Sequence, residues 1–163
     1  MRIALASDHA GFRLKEEVKR YLASAHVQCV DFGTDSEASV DYPDFAARVA
    51  RAVADREFDR GILVCGTGIG MAMAANKVGG IRAASVTDLD SARLSREHND
   101  INVLALAGRL TPSDLARQIV RIFLDTPFAG DRHQRRLDKI ASLEAHPGRA
   151  TPPAPQAPTR TGS

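Results

Sequence analysis

The sequence predicts an α/β sandwich built on a five-stranded parallel sheet, with helices on both faces. Three observations carry this. Short apolar runs alternate with segments of helical periodicity, the pattern of successive strand–helix–strand units. The chain has 163 residues, 44% of them hydrophobic, enough for one packed core. No internal repeat divides it.

Arg2 to Ser7 is a short apolar run bounded by polar residues, a first strand. Leu14, Val18, Tyr21, Leu22 and Ala25 then fall at helical spacing. Val27 to Phe32 reads as a second strand, stopped by Gly33, and Thr34 to Asp41 as a polar loop. Tyr42-Pro43-Asp44 opens a helix to about Asp55, with proline in the first turn. Gly61 to Val64 is the third strand and Gly68 to Lys77 the third helix. Ile81 to Val86 is a fourth strand, and Thr87 or Asp88 can cap a helix to about Asn99. Asn102 to Ala107 is the fifth strand. Thr111-Pro112-Ser113-Asp114 starts a helix, with Thr as N-cap and Pro at the first position. Leu115, Ile119, Ile122 and Phe123 form its buried face. A last helix runs from Arg132 to about Ala145, with Leu137, Ile140 and Ala141 inward.

This gives one domain over residues 1–146 and a tail over 147–163. The tail holds five of the eight prolines and almost no large apolar residue, so it reads as disordered.

The net charge is +2, which points to neither a nucleic-acid nor a membrane partner. No stretch approaches the ~20 apolar residues of a membrane span. The N-terminal apolar run is too short for a signal peptide, and two cysteines without an export signal suggest reduced thiols in the cytoplasm. The histidines at 9, 26, 98, 133 and 146 have no metal-binding spacing, so neither metal nor cofactor is expected.

Ligands of parallel α/β sheets bind beyond the carboxyl ends of the strands. Two loops there carry chemistry: Asp8-His9-Ala10-Gly11 after the first strand, and Cys65-Gly66-Thr67-Gly68-Ile69-Gly70 after the third. A 2-1-3-4-5 strand order sets them side by side. The second loop joins a strand to a helix N-terminus, which offers N–H groups to an anion. A thiol at such a junction favours its thiolate. Cys65 is either that partly exposed thiol or a buried small hydrophobe; Cys29, inside the second strand, reads as the latter. The glycines fit neither G-x-G-x-x-G nor the P-loop, although Asp88 lies near the distance of a ribose contact. A dinucleotide site is thus weakened, and a plain tight turn stays open. Asp8-His9 is either a cap with a surface histidine or a ligand-facing pair. Ser95 to Asp100 ends the fourth helix; a C-terminal cap with Asn99 in the left-handed region would explain it. Arg132 and Arg136 share one helix face and suit a phosphate, or form a solvated basic face.

Together these segments resemble the type B ribose-5-phosphate isomerases, grouped with galactose-6-phosphate isomerase subunits. The resemblance spans Met1 to about Ala145. It rests on Ser7 to Phe12, Asp41-Tyr42-Pro43, Cys65 to Gly70, Ala75-Asn76-Lys77, Ser95 to Asn99, Asn102-Val103-Leu104, Gly108-Arg109 and Arg132 to Arg136, in the family's order. It implies a Rossmann-like three-layer fold and a homodimer with shared active sites, with tetramers left open. It implies metal-free interconversion of ribose 5-phosphate and ribulose 5-phosphate. By matching position, Cys65 would be the base. One branch of the family has serine there and a nearby glutamate; Met71 and Ala74 supply no acid here. His98 would assist ring opening, with Asp8, Thr67 and Tyr42 around the sugar. Asn99 and the amides of Gly66, Gly68, Ile69 and Gly70 would steady the enediolate. His9, Arg109, Arg132 and Arg136 would hold the phosphate, and His98, Asn99 and the three arginines would come from the partner subunit. Allose 6-phosphate, galactose 6-phosphate or a four-carbon sugar phosphate are alternative substrates, and a non-catalytic sugar-phosphate or nucleotide-binding module is the alternative class.

Overall fold

The computed structural model describes residues 1–144. The domain boundary at 146 and the tail over 147–163 lie outside the described residues. Five parallel strands form one sheet: β1 (Arg2–Ser7), β2 (Gln28–Asp31), β3 (Arg60–Cys65), β4 (Ala83–Ser85) and β5 (Val103–Ala107). Six helices accompany them: α1 (Phe12–Ser24), α2 (Tyr42–Ala54), α3 (Ile69–Ala75), α4 (Leu89–Glu97), α5 (Ser113–Asp125) and α6 (Arg132–Glu144).

The sheet order is β2-β1-β3-β5-β4, not the sequential 2-1-3-4-5. β5 is buried at all five positions and takes an interior place, whereas β4 has three half-buried residues and forms the edge. Crossover handedness agrees. Stepping back from β4 to β5 reverses direction, so a right-handed crossover carries α4 to the opposite face from α3. Accordingly Ala92 of α4 joins α1 and α5 against Ile3, Leu5, Ile62, Val64, Leu104 and Leu106. Helices α2 and α3 cover Ala4, Ala6, Leu63, Cys65, Val103 and Ala105. Alternate residues of the central strands thus feed two cores, as period-2 side chains demand.

Three local expectations change. α5 begins at Ser113 with Pro112 as its N-cap, because the Thr111 amide is tied to the Ala107 carbonyl (2.8 Å) in the turn leaving β5. The left-handed residue after α4 is Asp100 (φ 43°), not Asn99. Asp100 is held there by Arg82 and Arg96, each 2.7 Å from a carboxylate oxygen. On α6 only Leu137 turns inward among the three residues expected to: Ile140 is 48% exposed and Ala141 is exposed too.

Two asparagines fix the chain around the β4 edge. Asn76 pairs with both backbone groups of Ala83, each at 2.8 Å. Asn102 does the same across Arg82 N and Gly80 O, also at 2.8 Å. Their amides replace ladder partners that an edge lacks.

Candidate active site at the carboxyl ends of the central strands

The register of β1, β3 and β5 brings the two candidate loops together. Ser7 pairs with Val64 and Cys65 with Ala107, so the residues that follow these strands emerge in one row. The backbone stitches the row: Asp8 N to Val64 O at 3.2 Å, Gly108 N to Cys65 O at 2.7 Å, and Arg109 N to Gly66 O at 3.2 Å. Gly11 and Gly108 make this approach possible. A Cβ on Gly108 would lie 2.8 Å from Gly11 Cα, and one on Gly11 would lie 2.2 Å from Val64 O.

Cys65 ends β3 on the α2/α3 face and is 5% exposed. The thiol therefore sits beneath its loop and is not the partly exposed group expected. Gly68 follows at φ 76° and has no side chain to cap α3, leaving first-turn N–H groups at the loop. Thr67 is exposed; its hydroxyl accepts from Ile69 N (3.4 Å), and its carbonyl accepts from the Ser85 hydroxyl (3.2 Å). The Tyr42 ring, from the start of α2, lies over Gly70, where a Cβ would meet it at 2.8 Å.

Asp8 is buried and accepts from Gly11 N at 2.9 Å, which shapes the turn into α1. His9 is half-buried and its Nδ1 accepts from Val40 N at 3.2 Å. Arg109 stays with its own chain: Cδ and Nη1 lie 3.6 and 3.7 Å from the Cβ position of Gly66. Its expected origin in a partner subunit is therefore unnecessary. Asp8, His9, Tyr42, Arg109 and the Cys65–Gly70 loop thus form one constellation.

His98, Asn99, Arg132 and Arg136 form a second constellation at the other end of the sheet. α4 leaves the carboxyl end of β4 and returns, so His98 at its C-cap, two residues before the Asp100 that Arg82 holds, comes down toward the strands' amino ends. The nine residues of α4 span about 13 Å at the helical rise. The His98 and His133 rings stack in parallel at 4.2 Å, 7° apart. Desolvation holds the His133 pKa below its ordinary value, and charge on His98, Arg132 and Arg136 adds to this. Arg132 and Arg136 are exposed on the first turns of α6. One chain therefore does not bring His98 to Cys65.

A groove of about 1060 Å³ lies away from Cys65. Ile81, Ala84, Asn99, Leu137, Ile140 and Leu143 help line it, between the β4 edge and α6. Among the described residues no group of three or more His, Cys, Asp or Glu side chains is placed to hold a metal ion. No helix there is long and apolar enough to cross a membrane.

The ribose/galactose isomerase family profile matches residues 3–140. The chain belongs to this family. It is 47% identical over 143 residues to ribose-5-phosphate isomerase B of Escherichia coli, covering 88% of this chain and 96% of that relative. The fold is similar to that of ribose-5-phosphate isomerase B from Clostridium thermocellum, at 50% identity and TM-score 0.88, over 89% of this chain and 98% of that one. It is also similar to the Mycoplasma genitalium ribose-5-phosphate isomerase B with bound ribulose 5-phosphate, at 44% identity and TM-score 0.84 over 88% and 96%.

Several residues around the site escaped the sequence reading. Lys15 is 1% exposed yet charged, bonded to Asp31 and to Thr34 O. Its spacing to Val18 and Leu22 put it on the buried face of α1, a signal that was there to be read. Ser85 and the His133 stack on His98 depend on contacts between distant segments and left no local trace.

Proposed function

We propose that this protein is a ribose-5-phosphate isomerase interconverting ribose 5-phosphate and ribulose 5-phosphate, with Cys65 as the base. The observation that carries the proposal is the row of Asp8, Cys65, the glycine loop and Arg109 at the strand ends, in a chain of this family. In the aldose-to-ketose direction the Cys65 thiolate takes the proton from C2. The C1 carbonyl becomes an enediolate oxygen, and the O2 proton passes to O1. The thiol then returns its proton to C1. Nothing is gained or lost overall.

Negative charge develops on the enediolate, and the amides of the Gly66–Gly70 loop with Asn99 stabilise it. His98 assists ring opening, with Asp8 and Thr67 beside the ring oxygen and hydroxyls. His9, Arg109, Arg132 and Arg136 hold the phosphate, whose binding energy fixes the reacting carbons over the thiol.

Since His98 and Cys65 lie at opposite ends of one chain's sheet, a second copy supplies His98, Asn99, Arg132 and Arg136. The exposed apolar side chains of Ile140 and Leu143 beside the β4 edge give that copy a surface to cover. The assembly is a homodimer, and the location is the cytoplasm. Incubating the purified protein with ribose 5-phosphate and following ribulose 5-phosphate tests the activity. Failure to convert any five- or six-carbon sugar phosphate would sink the proposal.

A further inference from the structure

The loop between β2 and α2 is fixed at its start by Lys15, which the reaction scheme does not use, and at its far end by His9, which it does. At its start the buried Lys15 ammonium donates to Asp31 Oδ2 (2.6 Å) and to Thr34 O (2.7 Å). Thr34 N donates to Ser7 O (3.1 Å), so this end is also tied to β1. A buried ammonium must keep its acceptors, which gives this end one geometry. In the middle, Arg13 and Glu37 pair at 2.7 Å on the surface, where such a pair adds little. At the far end Val40 N donates to His9 Nδ1 (3.2 Å). The next residues are the N-cap Asp41 and Tyr42, whose ring covers Gly70.

The Val40 contact decides the chemistry of His9. A backbone amide there can only donate, so Nδ1 carries the lone pair and the neutral ring keeps its hydrogen on Nε2. We propose that residues 34–40 form a strap that orients His9 as an Nε2–H donor toward the substrate phosphate, with Lys15 as its latch. Lys15 and the Val40 amide are thus positioning elements of the site. The strap rests on the reading above only in assigning His9 to the phosphate; the tautomer itself does not.

Two-bond proton–nitrogen correlation spectra of the substrate-free protein read the tautomer directly. The strap predicts a single Nε2–H form of His9 and a Val40 amide protected from exchange. A wild-type His9 in the Nδ1–H form overturns it. In Lys15→Met the strap predicts mixed His9 tautomers and a KM for ribose 5-phosphate raised about tenfold, with kcat within about twofold, the loss expected for one misaligned hydrogen bond. A Lys15 that only stabilises the fold would lower the melting temperature and leave the tautomer and KM alone, which also overturns it. If Lys15→Met does not fold, the wild-type tautomer together with Val40 exchange in His9→Asn and His9→Leu decides. Asparagine keeps an acceptor near Nδ1 and leucine does not, so the strap predicts Val40 protection in His9→Asn and its loss in His9→Leu, and equal exchange in the two variants overturns it. A wild type with the Nε2–H tautomer but no turnover would refute the isomerase assignment and leave the strap standing.

Discussion

Replacing Gly68 by alanine tests the loop architecture around Cys65. Gly68 has φ 76°, and a left-handed conformation costs an alanine about 1–2 kcal/mol. Its Cβ would lie 2.6 Å from Ser85 Oγ and 3.1 and 3.2 Å from the Leu106 carbonyl carbon and oxygen. Comfortable carbon contacts are about 3.5–4.0 Å, so the methyl overlaps Ser85 by about 1 Å and the β5 backbone by several tenths. Overpacking of this kind costs about 1–3 kcal/mol. The expected loss is therefore about 3 kcal/mol, read from urea unfolding at constant m-value. Ser85 can yield by rotating, which breaks its bond to Thr67 O. Adding Ser85→Ala should thus restore about 1 kcal/mol relative to additivity in a double-mutant cycle. A loss below about 1 kcal/mol for Gly68→Ala, or strict additivity with Ser85→Ala, would refute this packing of the loop against β4 and β5.

Other outcomes follow from the site and the buried pair. Cys65→Ala and His98→Gln chains, each inactive alone, should regain about a quarter of wild-type activity when unfolded and refolded together, since half the dimers are mixed and each has one intact site. Absence of recovery in confirmed heterodimers would argue against shared sites. Arg136→Ala should raise KM with little change in kcat, measured by initial rates; unchanged kinetics would remove Arg136 from the phosphate site. Burial alone would raise the Asp31 pKa, but hydrogen bonds from Lys15, Gly33 N and Lys19 outweigh it and hold it below the ordinary carboxylate value. A depressed folded-state pKa gives stability that is complete above the unfolded value of about 4 and lost as pH falls through the folded one. Urea titrations below about pH 4 should therefore show a steeper acid loss in the wild type than in Asp31→Asn; equal slopes would remove Asp31 from the linkage.

The elements were legible because β1, β3 and β5 centre on short apolar runs and the helices keep their period. The meeting of the Asp8 and Cys65 loops was legible too, since parallel strands with helical crossovers deliver their following loops to one edge. The placement of β5 inside β4 was not read, although the evidence was in the composition: Val103 to Ala107 is apolar throughout, whereas Ala83 to Ser85 is short and small. Cys65 illustrates a limit of local reasoning. A strand-end thiol before a helix suggested exposure, but the covering α2/α3 layer buries it, and the α2 half of that layer is set by distant sequence. Lys15 shows the reverse case, a charge on an apolar helix face whose partner, Asp31, lies at the end of the next strand. The resemblance already implied that His98 reaches the site from a partner subunit, and the crossover of α4 gives the physical reason that one chain keeps it from Cys65.

The most direct test of the central claim is the isomerisation rate of Cys65→Ala beside the wild type, with ribose 5-phosphate binding measured in parallel. A positioned base contributes about 10²–10⁴-fold, so kcat should fall by at least about a hundredfold while substrate still binds. A Cys65→Ala protein that folds, binds substrate and keeps kcat within about tenfold of wild type would contradict the account.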